Sequence, residues 1–143
     1  INICMWTFEN KIFEPEPEEI KPFAGFVYLI TEVNTNMKYV GKKLLWRTIK
    51  RAPLKGKKRK RIEVVQSDWK TYYGSSDKVK QLLEDNGKDS FKREILRFCK
   101  TKGEMSYYET KEQFDREVLL NPEYYNGIIN CRINHNHVNH MKY

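Results

Sequence analysis

Cysteine and long apolar runs are scarce in this chain, and each scarcity excludes something. The cysteines Cys4, Cys99 and Cys131 lie far apart among 143 residues. An odd, widely spaced set does not make a disulfide framework, so the expectation is a reducing compartment. No apolar stretch approaches the roughly 20 residues of a membrane span. The first residues show no signal-peptide pattern, so a soluble cytoplasmic protein without a membrane partner is expected. Internal repeats are missing too. Acid is missing from one long stretch: Lys42 to Arg61 reads KKLLWRTIKRAPLKGKKRKR.

What is present bears on that stretch. The formal net charge is +8, which points to a polyanion such as nucleic acid. The length suits one domain with one core. Residues 1–24 contain ENKIFEPEPEEIKP, acidic and proline-rich, and are expected to form an extended lead-in, because Pro15 and Pro17 break a helical run. Residues 25–130 are expected to form the folded domain, with the basic segment at 42–63. Residues 131–143 are expected to be a flexible tail.

Phe26–Ile30 and Met37–Val40 are aromatic and β-branched enough for strands, with Asn34-Thr35-Asn36 as the turn between them. SSDKVKQLLEDNG predicts a helix capped by Ser75 or Ser76 and stopped by Gly87. SFKREILRFCK suits a third strand, and GEMSYYETKEQFDREVLL predicts a long helix ended by Asn121-Pro122. The fold class expected is α/β (α+β): a small sandwich whose central, mainly antiparallel three-stranded sheet is flanked by helices.

Several landmarks carry a resemblance. Gly25 with Phe26-Val27-Tyr28, and then Tyr39-Val40-Gly41, look like the two tripeptides of one hairpin that name the GIY-YIG nuclease superfamily. NGKDSFKREIL, SYYETKEQF, EYYN and SDWKTYYGSS follow in the order seen in phage-type members. The resemblance covers roughly residues 25–130. It implies a divalent-metal-dependent endonuclease that hydrolyses phosphodiester bonds of DNA, most often duplex, with Mg²⁺ or Mn²⁺ as cofactor.

The residue roles follow from the resemblance. Tyr28 is the candidate for orienting or deprotonating the attacking water. A free phenol has a pKa of about 10, so acting as a base requires a cationic field, for which Lys42 and Lys43 are available. The bland alternative is a core tyrosine. Tyr39 is expected to bind phosphate or water, or to pack. Gly41 is expected to allow close backbone approach.

The family's arginine lies on a helix after the second tripeptide. Counting along lands on Ile49, which Arg47 and Arg51 bracket, four apart on one helical face. Arg47 is the choice, with Arg51, Arg59, Arg61 and Lys43 as alternatives. Glu109 is the metal-ligand candidate and Glu112 its rival. A single carboxylate with several waters suits Mg²⁺.

Asn126 matches a late asparagine of the family, near the phosphate or in a structural turn. Gly41, Lys42, Lys43, Arg51, Lys57, Lys58, Arg59 and Arg61 are expected to contact nucleic acid, and Trp69, Tyr72 and Tyr73, interleaved with Lys70, either to stack on bases or to sit in the core. Cys131, His135, His137 and His140 have ligand chemistry, but an Asn-rich run reads more simply as a tail.

Two other readings stay open. One is a GIY-YIG-fold module that binds nucleic acid without cutting it; the other is a basic RNA-binding protein of unrelated fold. Specificity would come from the basic segment, from shape or from a protein partner.

Overall fold

The computed structural model describes residues 5–143, so Cys4 lies outside the described residues. A five-stranded sheet organises the chain. In chain order its strands are β1 (Trp6–Phe8), β2 (Lys11–Ile12), β3 (Gly25–Glu32), β4 (Lys38–Leu44) and, later, β7 (Phe91–Cys99). In space they run β2-β1-β7-β3-β4. The β1–β7 pair is parallel and the others are antiparallel. The three strands expected from sequence, β3, β4 and β7, form one half of this sheet.

β3 is covered on both faces, which is why it reads as a nearly unbroken apolar run. Phe26, Tyr28 and Ile30 face a core with Trp6, Trp69, Val79, Phe91 and Ile95. Val27 and Leu29 face a second core with Val40, Cys99, Met105 and Val118. Met105 belongs to helix α3 (Lys102–Asp115), which packs on that side. Burial pushes the Cys99 thiol up to about 12, so it is a core residue rather than a reactive one.

The lead-in differs from expectation. Its scattered apolar residues are spent on the core: Trp6 is buried, packs against Phe26 and Tyr28, and donates through Nε1 to the Trp69 carbonyl at 2.7 Å. Glu9 and Asn10, both at positive φ (52° and 66°), make the two-residue turn between β1 and β2. Pro17 starts a one-turn helix, α1 (Pro17–Ile20), at the position where a missing N–H costs nothing.

The basic segment is also not helical. It forms an antiparallel ribbon of β5 (Trp46–Arg51) and β6 (Arg61–Gln66), whose strands pair with each other and not with the main sheet. Thr48, Ile49, Ile62, Val64 and Val65 are β-branched, and side-chain stiffness on a pleated surface outweighs the helical spacing of the arginines.

Helix α2 (Asp77–Asn86) is capped by the Ser76 side chain and ended by Gly87 at φ 83°. α3 stops six residues before the expected Asn121. The Val118 N–H bonds to the Gln113 carbonyl and the Glu117 N–H to that of Phe114, with Glu117 at φ 51°. This is a Schellman closure made without its usual glycine. The tail is ordered as a 3₁₀ helix, His135–Met141, whose His140 Nε2 lies 2.7 Å from the buried Glu104 carboxylate on α3.

Candidate active site

The two tripeptides are a steric pair. Tyr28 on β3 stands directly opposite Gly41 on β4. A Cβ at Gly41 would collide with Tyr28 Oη. Gly41 therefore makes room for a phenol, and its expected approach to nucleic acid is replaced by this role. Gly74, at φ 99°, closes from the other side: a Cβ there would sit 3.4 Å from the same oxygen. The β3–β7 register shifts between Val27 and Tyr28, and bulges of this kind re-aim side chains beside functional sites.

Tyr28 is fully buried, ringed by Trp6, Phe26, Tyr39 and Tyr72. Burial drives its pKa far above the ordinary phenol range, and Tyr72, Tyr39 and the Glu109 charge push the same way. The lysines expected to supply a cationic field are bonded elsewhere, Lys42 to Ser106 and Lys43 to Asp68. Burial favours the protonated hydroxyl, a state that suits a hydrogen-bond donor better than a base. Tyr39 is half-buried, its Oη 3.1 Å from Ser75 Oγ, and burial raises its pKa as well.

Glu109 comes to this group from α3, at the edge strand β4. Its carboxylate is close enough to raise the pKa of both Tyr28 and Tyr39. Its side chain is 18% exposed, and burial raises its own pKa against the opposing pull of Lys42. Lys42 Nζ lies 3.9 Å away and donates instead to Ser106 Oγ at 2.9 Å. The half-buried carboxylate is thus only loosely compensated, a chemistry that fits a hydrated divalent cation. Among the described residues no three His, Cys, Asp or Glu side chains cluster as ligands, so any such ion would keep most of its waters. The rival Glu112 is occupied by Arg116, 2.9 Å away.

Cations line the other side. Lys43 Nζ bonds Asp68 Oδ1 at 2.6 Å and lies 4.2 Å from the centre of the Tyr72 ring. The Lys43 hydrogen bond holds the Asp68 carboxyl below its usual range, with a smaller pull from Arg47. Arg47, exposed on β5, therefore lies near this group, though on a strand and not a helix. Arg51 is bonded to Glu63 at 2.7 Å, and Arg61 donates to the Ala52 carbonyl at 3.2 Å. Lys57, Lys58 and Arg59 are exposed in the loop between the two strands.

Three expected nucleic-acid contacts are structural instead. Trp69 is buried and donates through Nε1 to Gln66. Tyr73 is buried beside Phe91 and the Arg93 guanidinium. Asn126 is buried with its amide spent on one peptide unit: Oδ1 accepts from Val40 N–H at 3.0 Å and Nδ2 donates to the Val40 carbonyl at 2.8 Å. It covers the open edge of β4 as a further strand would. Sequence reasoning missed Asp68 and Ser75 as site residues, and of the two tyrosines in WKTYYGSS it chose Tyr73 where Tyr72 lies at the site. Arg93, a cation within the apolar β7 pattern, was the available signal: its Nη1 holds the Lys70 and Tyr72 carbonyls at 3.0 and 2.8 Å and so fixes the Tyr72 loop.

Two cavities of about 630 Å³ flank the N-terminal segment, but neither is lined by Tyr28, Tyr39 or Glu109. A family model described as "Putative endonuclease segE, GIY-YIG domain" matches residues 6–129. Comparison with curated proteins and with solved structures finds no match.

Proposed function

The chain belongs to the GIY-YIG endonuclease family, and from that premise we propose that it hydrolyses phosphodiester bonds of duplex DNA with the help of a divalent metal, as a phage-type enzyme. The observation that supports this reading is one loosely compensated carboxylate, Glu109, near enough to act electrostatically on the hydroxyls of Tyr28 and Tyr39, with Lys42 3.9 Å from it and Lys43 and Arg47 grouped about Asp68.

Each group has a task that its environment suits. Glu109 would hold the cation, Mg²⁺ or Mn²⁺, which would supply Lewis acidity and counter-charge at the phosphate. Tyr28 keeps its proton and donates a hydrogen bond that orients a water or phosphate oxygen. Its fully packed ring leaves that donor no freedom to wander, which is the preorganisation that makes fixed dipoles effective. Tyr39, held through Ser75, offers a second hydroxyl. Lys43 and Arg47 face the phosphate with positive charge. Asp68 holds Lys43 in the free protein; at 70% exposure it yields readily to a phosphate.

Supercoiled plasmid is the test substrate. With Mg²⁺ the protein should convert it to nicked or linear forms, and EDTA should stop the conversion. Intact plasmid with both Mg²⁺ and Mn²⁺, under conditions where the protein binds DNA, would reject the nuclease reading.

A further inference from the structure

We propose that the β5–β6 ribbon lies in the major groove beside the cut site and that Arg51 and Arg61 read guanine there. This deepens the nuclease reading and rests on it. The cross-strand register places Arg47, Ile49 and Arg51 opposite Val65, Glu63 and Arg61, so the arginines share one face of the ribbon. That face continues the active site: Arg47 acts on Asp68, Asp68 bonds Lys43, and Lys43 lies against Tyr72. DNA seated at Glu109 therefore runs along it.

The shape fits one groove. Paired strands are about 4.8 Å apart before side chains are added. The major groove, about 12 Å wide, admits such a ribbon, whereas the minor groove, about 6 Å wide, does not. Six residues carry the ribbon about 20 Å from the body. The cations are sorted along it. The face holds arginines, whose planar fork can donate twice to guanine O6 and N7. The loop holds mainly lysines, Lys55, Lys57, Lys58 and Lys60, which act as point charges on phosphate. Arg51 and Arg61 stand directly opposite each other at the far end. The Arg51–Glu63 pair is about half exposed on both sides, so a base can replace Glu63 at little cost.

The experiment compares two duplexes of one guanine-rich sequence, one with ordinary guanine and one with 7-deazaguanine, which lacks the N7 acceptor. Binding is measured by gel shift in EDTA for the wild type and for the Arg51→Lys/Arg61→Lys double variant, which keeps the charge and removes the fork. The wild type should bind the 7-deaza duplex at least about fivefold more weakly. The double variant should lose that difference while keeping its salt dependence. Equal wild-type affinity for the two duplexes, or an unchanged difference in the double variant, overturns the proposal. Plasmid nicking is read separately. A protein that discriminates the duplexes but never nicks refutes the nuclease reading alone, and one that nicks without discriminating refutes the ribbon alone.

Discussion

Replacing Asn126 with Ala should unfold the protein more readily while leaving its intrinsic grip on DNA unchanged. The Asn126 amide is buried and makes two hydrogen bonds to the Val40 peptide, at 3.0 and 2.8 Å. Truncation leaves the Val40 N–H without that partner in a dry site, which costs about 1–3 kcal/mol. The carbonyl is partly rescued by Gln113 Nε2 at 3.4 Å. The lost packing adds about 1 kcal/mol, for a total of about 2–4 kcal/mol. In a domain of this size that lowers Tm by roughly 6–15 °C. Val40 lies between Tyr39 and Gly41, so nicking should fall with the loosened edge strand. Circular dichroism melts and urea titrations measure the loss. Asn126→Asp adds a sign test. Its carboxylate would face the Val40 carbonyl, so its protonated form is favoured in the folded state and its folded pKa is raised. The stability it contributes is then present at acid pH and is lost as pH rises through the folded pKa. The variant should melt lowest at neutral pH and recover as pH falls. An unchanged melt for Asn126→Ala together with weaker DNA binding would refute the structural role and return Asn126 to a phosphate contact.

Four further outcomes are expected. Glu109→Gln should abolish Mg²⁺-dependent nicking and spare DNA binding in EDTA, whereas Glu112→Gln should cut normally; the reverse pattern would move the ligand to Glu112. Because burial raises the folded-state pKa of Glu109, its ionisation opposes folding, so wild-type stability should decline as pH rises through that pKa, Glu109→Gln should melt higher at neutral pH without metal, and Mg²⁺ should raise the wild-type Tm alone. Tyr28→Phe should cost only about 0.5–1.5 kcal/mol for the lost hydrogen bond with Tyr72 but slow nicking by about 10²–10³-fold through loss of a fixed donor, and wild-type cleavage by this variant would leave Tyr28 as a core residue. DNA affinity should fall steeply with salt, and changing the loop cations Lys57, Lys58, Arg59 and Lys60 to Gln should flatten the log–log slope by up to about 3.6; an unchanged slope would remove the loop from the interface.

Local pattern by itself determined much of this protein. The β3–β4 hairpin, the Ser76–Gly87 bounds of α2, the strand character of β7 and the helix bearing Glu109 all rest on turn chemistry, capping and periodicity within a few residues. The two tripeptides likewise placed Tyr28 and Gly41 on paired strands, because hairpin register is a local matter. What lay beyond local pattern depended on distant partners. Trp6 and Phe13 drew an acidic lead-in into the fold through contacts with Trp69, Phe26 and Phe98. Arginines at helical spacing went into a ribbon because Val64 and Val65, some sixteen residues further on, pair opposite Thr48 and Arg47. Of two adjacent tyrosines, Tyr73 entered the core and Tyr72 the active site, an alternation decided by where Arg93 holds the loop. The environment of the Tyr28 hydroxyl depended on tertiary structure: a sequence shows two lysines nearby, but burial of the phenol and the groups that hold Lys42 and Lys43, Ser106 and Asp68, exist only once the sheet, α3 and the loop carrying Asp68 have come together.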